Sequence, residues 1–215
     1  MPFDPRSFDM KLLEKHYAQL SALIPPSRVA HSIRVAEAAV RIALKCLPEH
    51  VDEIRVAALL HDVAKGCMAD KALDILKTLD GITQNDIDTP SVHHALIAPV
   101  FISEYFSEFA TKNVLSSAFN HTTGDPEMSV FDQIIFVADY IEDGREHVSC
   151  VIVRERLYGA LEQETDTASC VEILRRAVKT VLEQTVSYVR RSSSKINLRT
   201  LATLNAFSSE EAFDD

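Results

Sequence analysis

Glycine is scarce in this chain, with 5 among 215 residues, and proline adds only 8 further breaks. That shortage argues against glycine-rich phosphate loops and against β architectures with many tight turns. No apolar run approaches the roughly 18 residues that a membrane-spanning helix needs. The opening Met1-Pro2-Phe3-Asp4-Pro5-Arg6 lacks the basic and apolar regions of a signal peptide. The cysteines Cys46, Cys67, Cys150 and Cys170 form no Cys-x-x-Cys pair and read as reduced cytoplasmic thiols, neither a disulfide frame nor a zinc knuckle. Positive charge is also short. The 22 lysines and arginines face 32 acidic residues, for a net charge of −10. Such a chain is a poor binder of nucleic-acid backbone. A small anionic substrate stays open, because a bound metal reverses the local field.

What the chain has is apolar content, 47% of its residues, enough for one sizeable core. Its periodicity is helical almost throughout. Helices are expected over Asp9–Ile24, from an N-cap at Ser27 to Cys46, Val51–Val63, Asp70–Leu79, Val92–Phe106, Thr111–His121, Ser129–Glu142, Val151–Glu164 and Ala168–Arg191. Pro25-Pro26, Asp80-Gly81, Gly124-Asp125-Pro126 and Asp143-Gly144 supply the breaks. The second helix carries apolar stripes on two sides, one of them His31, Val35, Ala38 and Ile42, which predicts a central position. The fold class is all-α.

Several apolar stretches contain one polar residue that needs a partner. His61-Asp62 closes the run Ala57-Ala58-Leu59-Leu60. A helix C-terminus favours the imidazole but repels the carboxylate beside it. Asp139 interrupts Ile134-Ile135-Phe136-Val137-Ala138. A buried carboxylate needs a cation, and either an arginine or a metal would serve. His121 falls on the stripe Val114, Ala118, and His94 opens a helix beside His93. Helix neighbours point about 100° apart, so His93 and His94 cannot both reach one ion. Taken singly, each histidine reads as a core or capping residue. Taken together, the residues are distributed as helical bundles distribute metal ligands.

The order His31, His61-Asp62, Asp139 resembles the signature of HD-domain metal-dependent phosphohydrolases. The wording is closer to the YqeK-like branch, symmetrical diadenosine tetraphosphate hydrolases. The matching segments are His31-Ser32-Ile33-Arg34-Val35-Ala36, Leu60-His61-Asp62-Val63-Ala64-Lys65, His94-Ala95, Asn120-His121-Thr122-Thr123-Gly124 and Ile135 through Arg145. The resemblance implies a single HD-domain helical bundle over residues 1–207, with a core of about 27–145 and C-terminal helices over 151–207. The acidic stretch 208–215 is expected to be disordered. The resemblance also implies a central dinuclear centre, most simply iron. His31, His61, Asp62 and Asp139 would hold one ion, and His94 and His121 the second, with Asp62 bridging. The donor chemistry alone also admits Mn, Co or Zn. The family usually reads Glu-Pro-Gly-Arg where this chain has Glu142-Asp143-Gly144-Arg145, so Asp143 could pair with Arg145. It also commonly has arginine where this chain has Leu204.

Two cations about 3.5–4 Å apart lower the pKa of a bridging water and clamp a phosphate for in-line attack. The implied reaction is hydrolysis of diadenosine tetraphosphate to two ADP. Asp62, Lys65 and Arg145 are the expected catalytic residues, and Lys65, Thr122, Thr123 and Arg145 the expected substrate contacts. The rival readings are an HD nucleotidase or pyrophosphohydrolase acting on mononucleotides or alarmones, and a catalytically silent nucleotide-binding scaffold. The expected partner is a small-molecule dinucleotide or nucleotide, with no nucleic acid, no membrane and a homodimer left open.

Overall fold

The computed structural model describes residues 10–213, with side chains described from residue 16 onward. The opening segment Met1 to Arg6, the expected helix start at Asp9 and the final Asp214-Asp215 lie outside the described residues. The elements are α1 (Met10–Leu23), α2 (Pro26–Cys46), α3 (Val51–Leu60), α4 (Ala69–Leu76), α5 (Gln84–Ile87), α6 (His93–Tyr105), α7 (Lys112–Asn120), α8 (Val130–Ile141), α9 (Val148–Gln163), α10 (Thr167–Arg191) and α11 (Leu198–Ala206). No strand occurs among the described residues, and no helix there is long and apolar enough to cross a membrane.

Helix α2 occupies the centre and contacts α3, α8, α9 and α10. Its two apolar stripes are both used, with Val29, Ala36 and Ala43 buried on one side and Val35, Ala38 and Ile42 on the other. Helices α3, α7 and α8 contact one another around it, and α6 joins through α7. Helix starts are set by local chemistry. Ser129 and Asp132 form a reciprocal capping box at α8, and Thr111, Asp166 and Asn197 cap α7, α10 and α11.

The start of α2 differs from expectation. Ser27 is not its cap: the helix begins at Pro26, with Pro25 in the cap position. Proline at the first helical position gives up an N–H that would be unsatisfied anyway, and its φ is already helical.

Helix α3 also ends earlier than the periodicity suggests, at Leu60 instead of Val63. Residues 61–66 continue as tight turns, with Val63 N on Leu60 O and Lys65 N on Asp62 O. These i→i+3 bonds are tighter than α-helical ones and bring Lys65 round beside Asp62. Helix α4 stops at Leu76 in the same manner, with Leu79 N on Leu76 O.

Helix α9 begins at Val148, three residues before the expected Val151. The short helices α5 and α11 were not expected as separate elements.

The expectation of a disordered tail needs correction through Phe213. Phe213 is buried, its N–H donates to Thr180 Oγ1 at 2.9 Å, and Glu210 pairs with Arg175 at 2.7 Å. An aromatic anchor and an ion pair fix a segment that composition alone reads as solvated.

Candidate metal centre

The bundle brings five helix segments to one point. His31 comes from the second turn of α2, His61 and Asp62 from the end of α3, His94 from the first turn of α6, His121 from the end of α7, and Asp139 from the last turn of α8. His61 and His121 occupy equivalent places, each the C-cap residue of its helix. His61 Nδ1–H donates to Ala58 O at 2.6 Å, and His121 Nδ1–H donates to Ala118 O at 2.7 Å. A carbonyl can only accept, so Nδ1 carries a proton in both rings and Nε2 faces inward. His31 is held through its Nδ1, 3.2 Å from Glu142 Oε1. Outer-atom anchoring of this kind is what orients metal-binding imidazoles.

The inward atoms form a cluster around Asp62. Its Oδ2 lies 3.9 Å from both His31 Nε2 and His61 Nε2. Its Oδ1 lies 3.3 Å from His94 Nε2 and 3.5 Å from His121 Nε2. The two oxygens of one carboxylate thus serve two different histidine pairs. Asp139 Oδ1 completes the first group, at 3.0 Å from His31 Nε2 and 3.9 Å from His61 Nε2. His94 and His121 approach Nε2 to Nε2 at 3.2 Å.

A transition ion fits this donor set. Nitrogen and oxygen ligands about 2.1 Å from one ion and about 90–110° apart sit roughly 3.0–3.4 Å from each other. The separations of 3.0, 3.2 and 3.3 Å fall in that range, and those of 3.9 Å describe a wider pair. His61 Nε2 is buried and has no hydrogen-bond partner among the described residues, and His31 Nε2 meets only the Asp139 carboxylate at hydrogen-bond distance, 3.0 Å. An orphaned buried nitrogen calls for an acceptor of its lone pair. His31, His61 and Asp139 form one geometric group suited to an ion, and His61, Asp62 and His121 another.

The electrostatics favour the metal-binding forms of His61, His94, Asp62 and Asp139. Burial pushes His61 down to about 4. Burial, with His121 and Lys65, pushes His94 well below its ordinary value. Burial would raise the Asp62 carboxyl, but His61, His121 and Lys65 overcome it and hold Asp62 well below the usual carboxylate range. Asp139 is held down likewise by His31, His61 and Arg145. His31 is the exception. Burial lowers it, but Asp139, Glu142 and Asp62 together raise it above the ordinary value. Neutral imidazoles and ionised carboxylates are the forms that bind metals.

Cations rim the cluster. Lys65 Nζ lies 3.7 Å from Asp62 Oδ1 and 2.9 Å from His94 Nε2. Arg145 Nη2 lies 2.9 Å from Asp139 Oδ1, so the arginine partner of Asp139 is present as well as the histidines. The expected alternative of an Asp143–Arg145 pair is not formed: Asp143 sits 3.6 Å from Arg154 Nε instead. Thr122 Oγ1 is 3.2 Å from His94 Nε2, at the cluster's edge. Thr123 needs correction as a substrate contact. It is fully buried and spends its single O–H on Gly124 O at 3.0 Å. His93 lies outside the cluster, with Nε2 on the carbonyls of Asp86 and Ile87.

Sequence reasoning passed over two neighbours. Arg28 Nη1 stands 3.6 Å from Asp62 Oδ2, and its signal is its place one turn before His31. Glu142 is buried and joins His31 to Arg34. Its signal was weaker, a carboxylate immediately after the apolar α8.

The HD-domain pattern matches residues 28–144, more than half of the chain and every residue of the cluster. The chain belongs to the HD-domain family. Among HD proteins it is related to the symmetrical bis(5'-nucleosyl)-tetraphosphatases, the YqeK-like branch. The Staphylococcus aureus enzyme of that name is 26% identical over 190 residues, covering 86% of this chain and 93% of its own. The Halalkalibacterium halodurans one is 31% identical over 182 residues, covering 83% and 87%. A crystal structure of an HD superfamily hydrolase from Clostridium acetobutylicum, described as involved in NAD metabolism, matches with a TM-score of 0.78 at 26% identity. It covers 93% of this chain and 98% of that one. This chain is an all-helical HD-domain bundle with a buried His/Asp cluster suited to metal, and the protein is an HD phosphohydrolase.

Proposed function

We propose that this protein hydrolyses diadenosine tetraphosphate and related dinucleoside polyphosphates symmetrically, releasing two nucleoside diphosphates. The observation that carries the reading is the division of Asp62, whose Oδ2 faces His31 and His61 while Oδ1 faces His94 and His121. That arrangement suits two ions sharing one carboxylate. The relation to symmetrical tetraphosphatases supplies the substrate class.

In this reading His31, His61, Asp62 and Asp139 would hold one ion, and His94, His121 and Asp62 the other. Iron is the metal the resemblance implies, and the N/O donor set also suits Mn, Co or Zn. When bound, the pair supplies Lewis acidity and a water of lowered pKa. Arg145, part exposed beside Asp139, presents planar donors to a phosphate at the cluster. Lys65 faces the same space from the His94 side. Arg28 adds a third positive group near Asp62. Together they offset the negative charge of a tetraphosphate and of the departing diphosphate, although the whole chain carries −10. Thr122 Oγ1, at the rim, is the remaining donor for a phosphate oxygen.

The test is product chromatography with metal-loaded protein and diadenosine tetraphosphate, beside elemental analysis of protein purified without oxygen. ADP alone and close to two transition ions per chain are expected. ATP with AMP would mean asymmetric attack, and turnover confined to mononucleotides would favour a nucleotidase.

A further inference from the structure

Two connected hollows lead away from the metal cluster. The inner one, about 160 Å³, is lined by His121, Thr122, Asp139 and Arg145 on the cluster side and by Tyr140 and Thr185 on the other. The outer one, about 850 Å³, opens between the end of α8, the start of α9 and the outer half of α10. Both share Tyr140, Arg145, Cys150 and Thr185, so the inner hollow is the neck of the outer cleft. The outer cleft alone, at about 850 Å³, is within the ~300–1,000 Å³ of small-molecule sites.

The outer cleft has the chemistry of a nucleoside site. Thr180, Gln184, Tyr188 and Arg191 recur along α10 at spacings of four, four and three, which places them on one face. Tyr188 is 62% exposed, a large aromatic face left uncovered beside a cavity. Gln184 is oriented: its Oε1 accepts from the Tyr140 hydroxyl at 2.7 Å. That leaves its two amide N–H donors without a partner among the described residues. Glu183 adds an acceptor on the same wall. Arg191 is held by Ser187 at 2.9 Å near the outer end. The far wall is the tail itself, through Phe213. An aromatic face with a donor and an acceptor alongside suits a purine, and a cation at the neck suits the diphosphate that follows it.

We propose that this cleft holds one nucleoside diphosphate half of the substrate, with Arg145 on the phosphates at the neck, Tyr188 stacked on the base and Gln184 donating to its edge. The inference rests on the dinucleotide reading above and extends it by naming the residues that select for a nucleoside. The polyphosphate would then run from Arg145 across the cluster towards Lys65 and Arg28.

Calorimetric titration of the metal-loaded full chain with ADP and with inorganic diphosphate gives a preference ratio that reports the nucleoside alone. Tyr188→Ala should lower that preference about tenfold, the scale of one base–aromatic stack. It should raise KM for diadenosine tetraphosphate by a similar factor while kcat is kept, and Tyr188→Phe should restore both. Gln184→Ala should also lower the preference. If both alanine variants keep the wild-type preference, the cleft assignment is wrong, and wild-type release of ADP alone would still uphold the symmetrical reading. If the wild type yields no ADP from the dinucleotide, that reading fails, yet a Tyr188-dependent preference for ADP would still establish the nucleoside cleft.

Discussion

His31 differs from the other inward-facing histidines in what holds its outer nitrogen. His61 and His121 lean on backbone carbonyls, whereas His31 leans on the buried carboxylate of Glu142. Glu142 is itself over-determined, taking Arg34 on the same side and the Gly144 N–H at 2.6 Å. A carboxylate behind an imidazole raises its basicity and fixes its ring, and removing such a partner typically costs about 10–100-fold in metal affinity. Glu142→Gln should therefore weaken metal retention by that order in a competition with a chelator, at unchanged helical content. Retention equal to wild type would make Glu142 a purely structural residue. The neighbours His93 and His94 allow a second separation. His94 Nε2 meets Asp62, His121 and Thr122, whereas His93 Nε2 is taken by two carbonyls of α5. His94→Ala should lose about half of the bound metal. His93→Ala should keep the metal and lower the melting temperature. The opposite pattern would place the ligand one residue earlier.

The clamp between α5 and α11 shows how short helices can be held from afar. Asp86 closes the capping box of α5 on Thr83 and also receives Arg199 Nε at 3.1 Å and Asn197 Nδ2 at 3.0 Å. Burial raises its carboxyl, but Arg199, Thr83 and Asn197 hold it down at about 2. A folded pKa below the unfolded one adds stability that is present above the unfolded value near 4 and is lost as pH falls towards 2. The shift from 3.8 to about 2 corresponds to about 2 kcal/mol. Asp86→Asn should lower unfolding free energy by roughly that amount near neutral pH, with the gap to wild type closing below about pH 4 in urea melts. A gap that persists at pH 2 would assign the loss to packing. The same clamp explains what the sequence could not disclose. Helices α2, α6, α8 and α10 are long enough for their apolar period to stand out, and their predicted spans match closely. Helix α5, four residues long, owes its place to contacts over 111–113 positions with Asn197 and Arg199, which no local pattern carries. His61, Asp62, His121 and Asp139 were legible because they interrupt apolar stretches or stripes, and His31 and His94 because their segments match the family pattern. Arg28 and Glu142 were not, because a charge beside a helix end is ordinary until the fold places it against another charge. Thr123 was misassigned for a related reason, since only the fold shows its hydroxyl turned to Gly124.

The cluster also bears on the stability of the bundle. Four imidazoles and two carboxylates meet where α2, α3, α6, α7 and α8 converge, and the inward nitrogen of His61 finds no hydrogen-bond partner among the described residues. Leaving a buried polar group unsatisfied costs about 1–3 kcal/mol. The helices must still close around it, because their apolar faces have no other place to bury. The native chain assembles these donors, and the unfolded chain scatters them, so a bound ion stabilises the native state by RT ln(1 + [M]/Kd). The increment is about 2.7 kcal/mol at a hundredfold excess over Kd and grows by about 1.4 kcal/mol for each further tenfold. The melting temperature of the stripped protein should therefore climb steadily with the logarithm of free Fe(II), Mn(II) or Zn(II), each to its own degree. Asp62→Ala removes both shared oxygens at once, so its melting curve should be nearly indifferent to metal. Asp139→Ala removes a donor near His31 and His61 only, and should keep about half of the metal response. A full metal-dependent rise in Asp62→Ala would show that the stabilising ion sits elsewhere, and the shared-carboxylate arrangement would then fail independently of any assay of turnover.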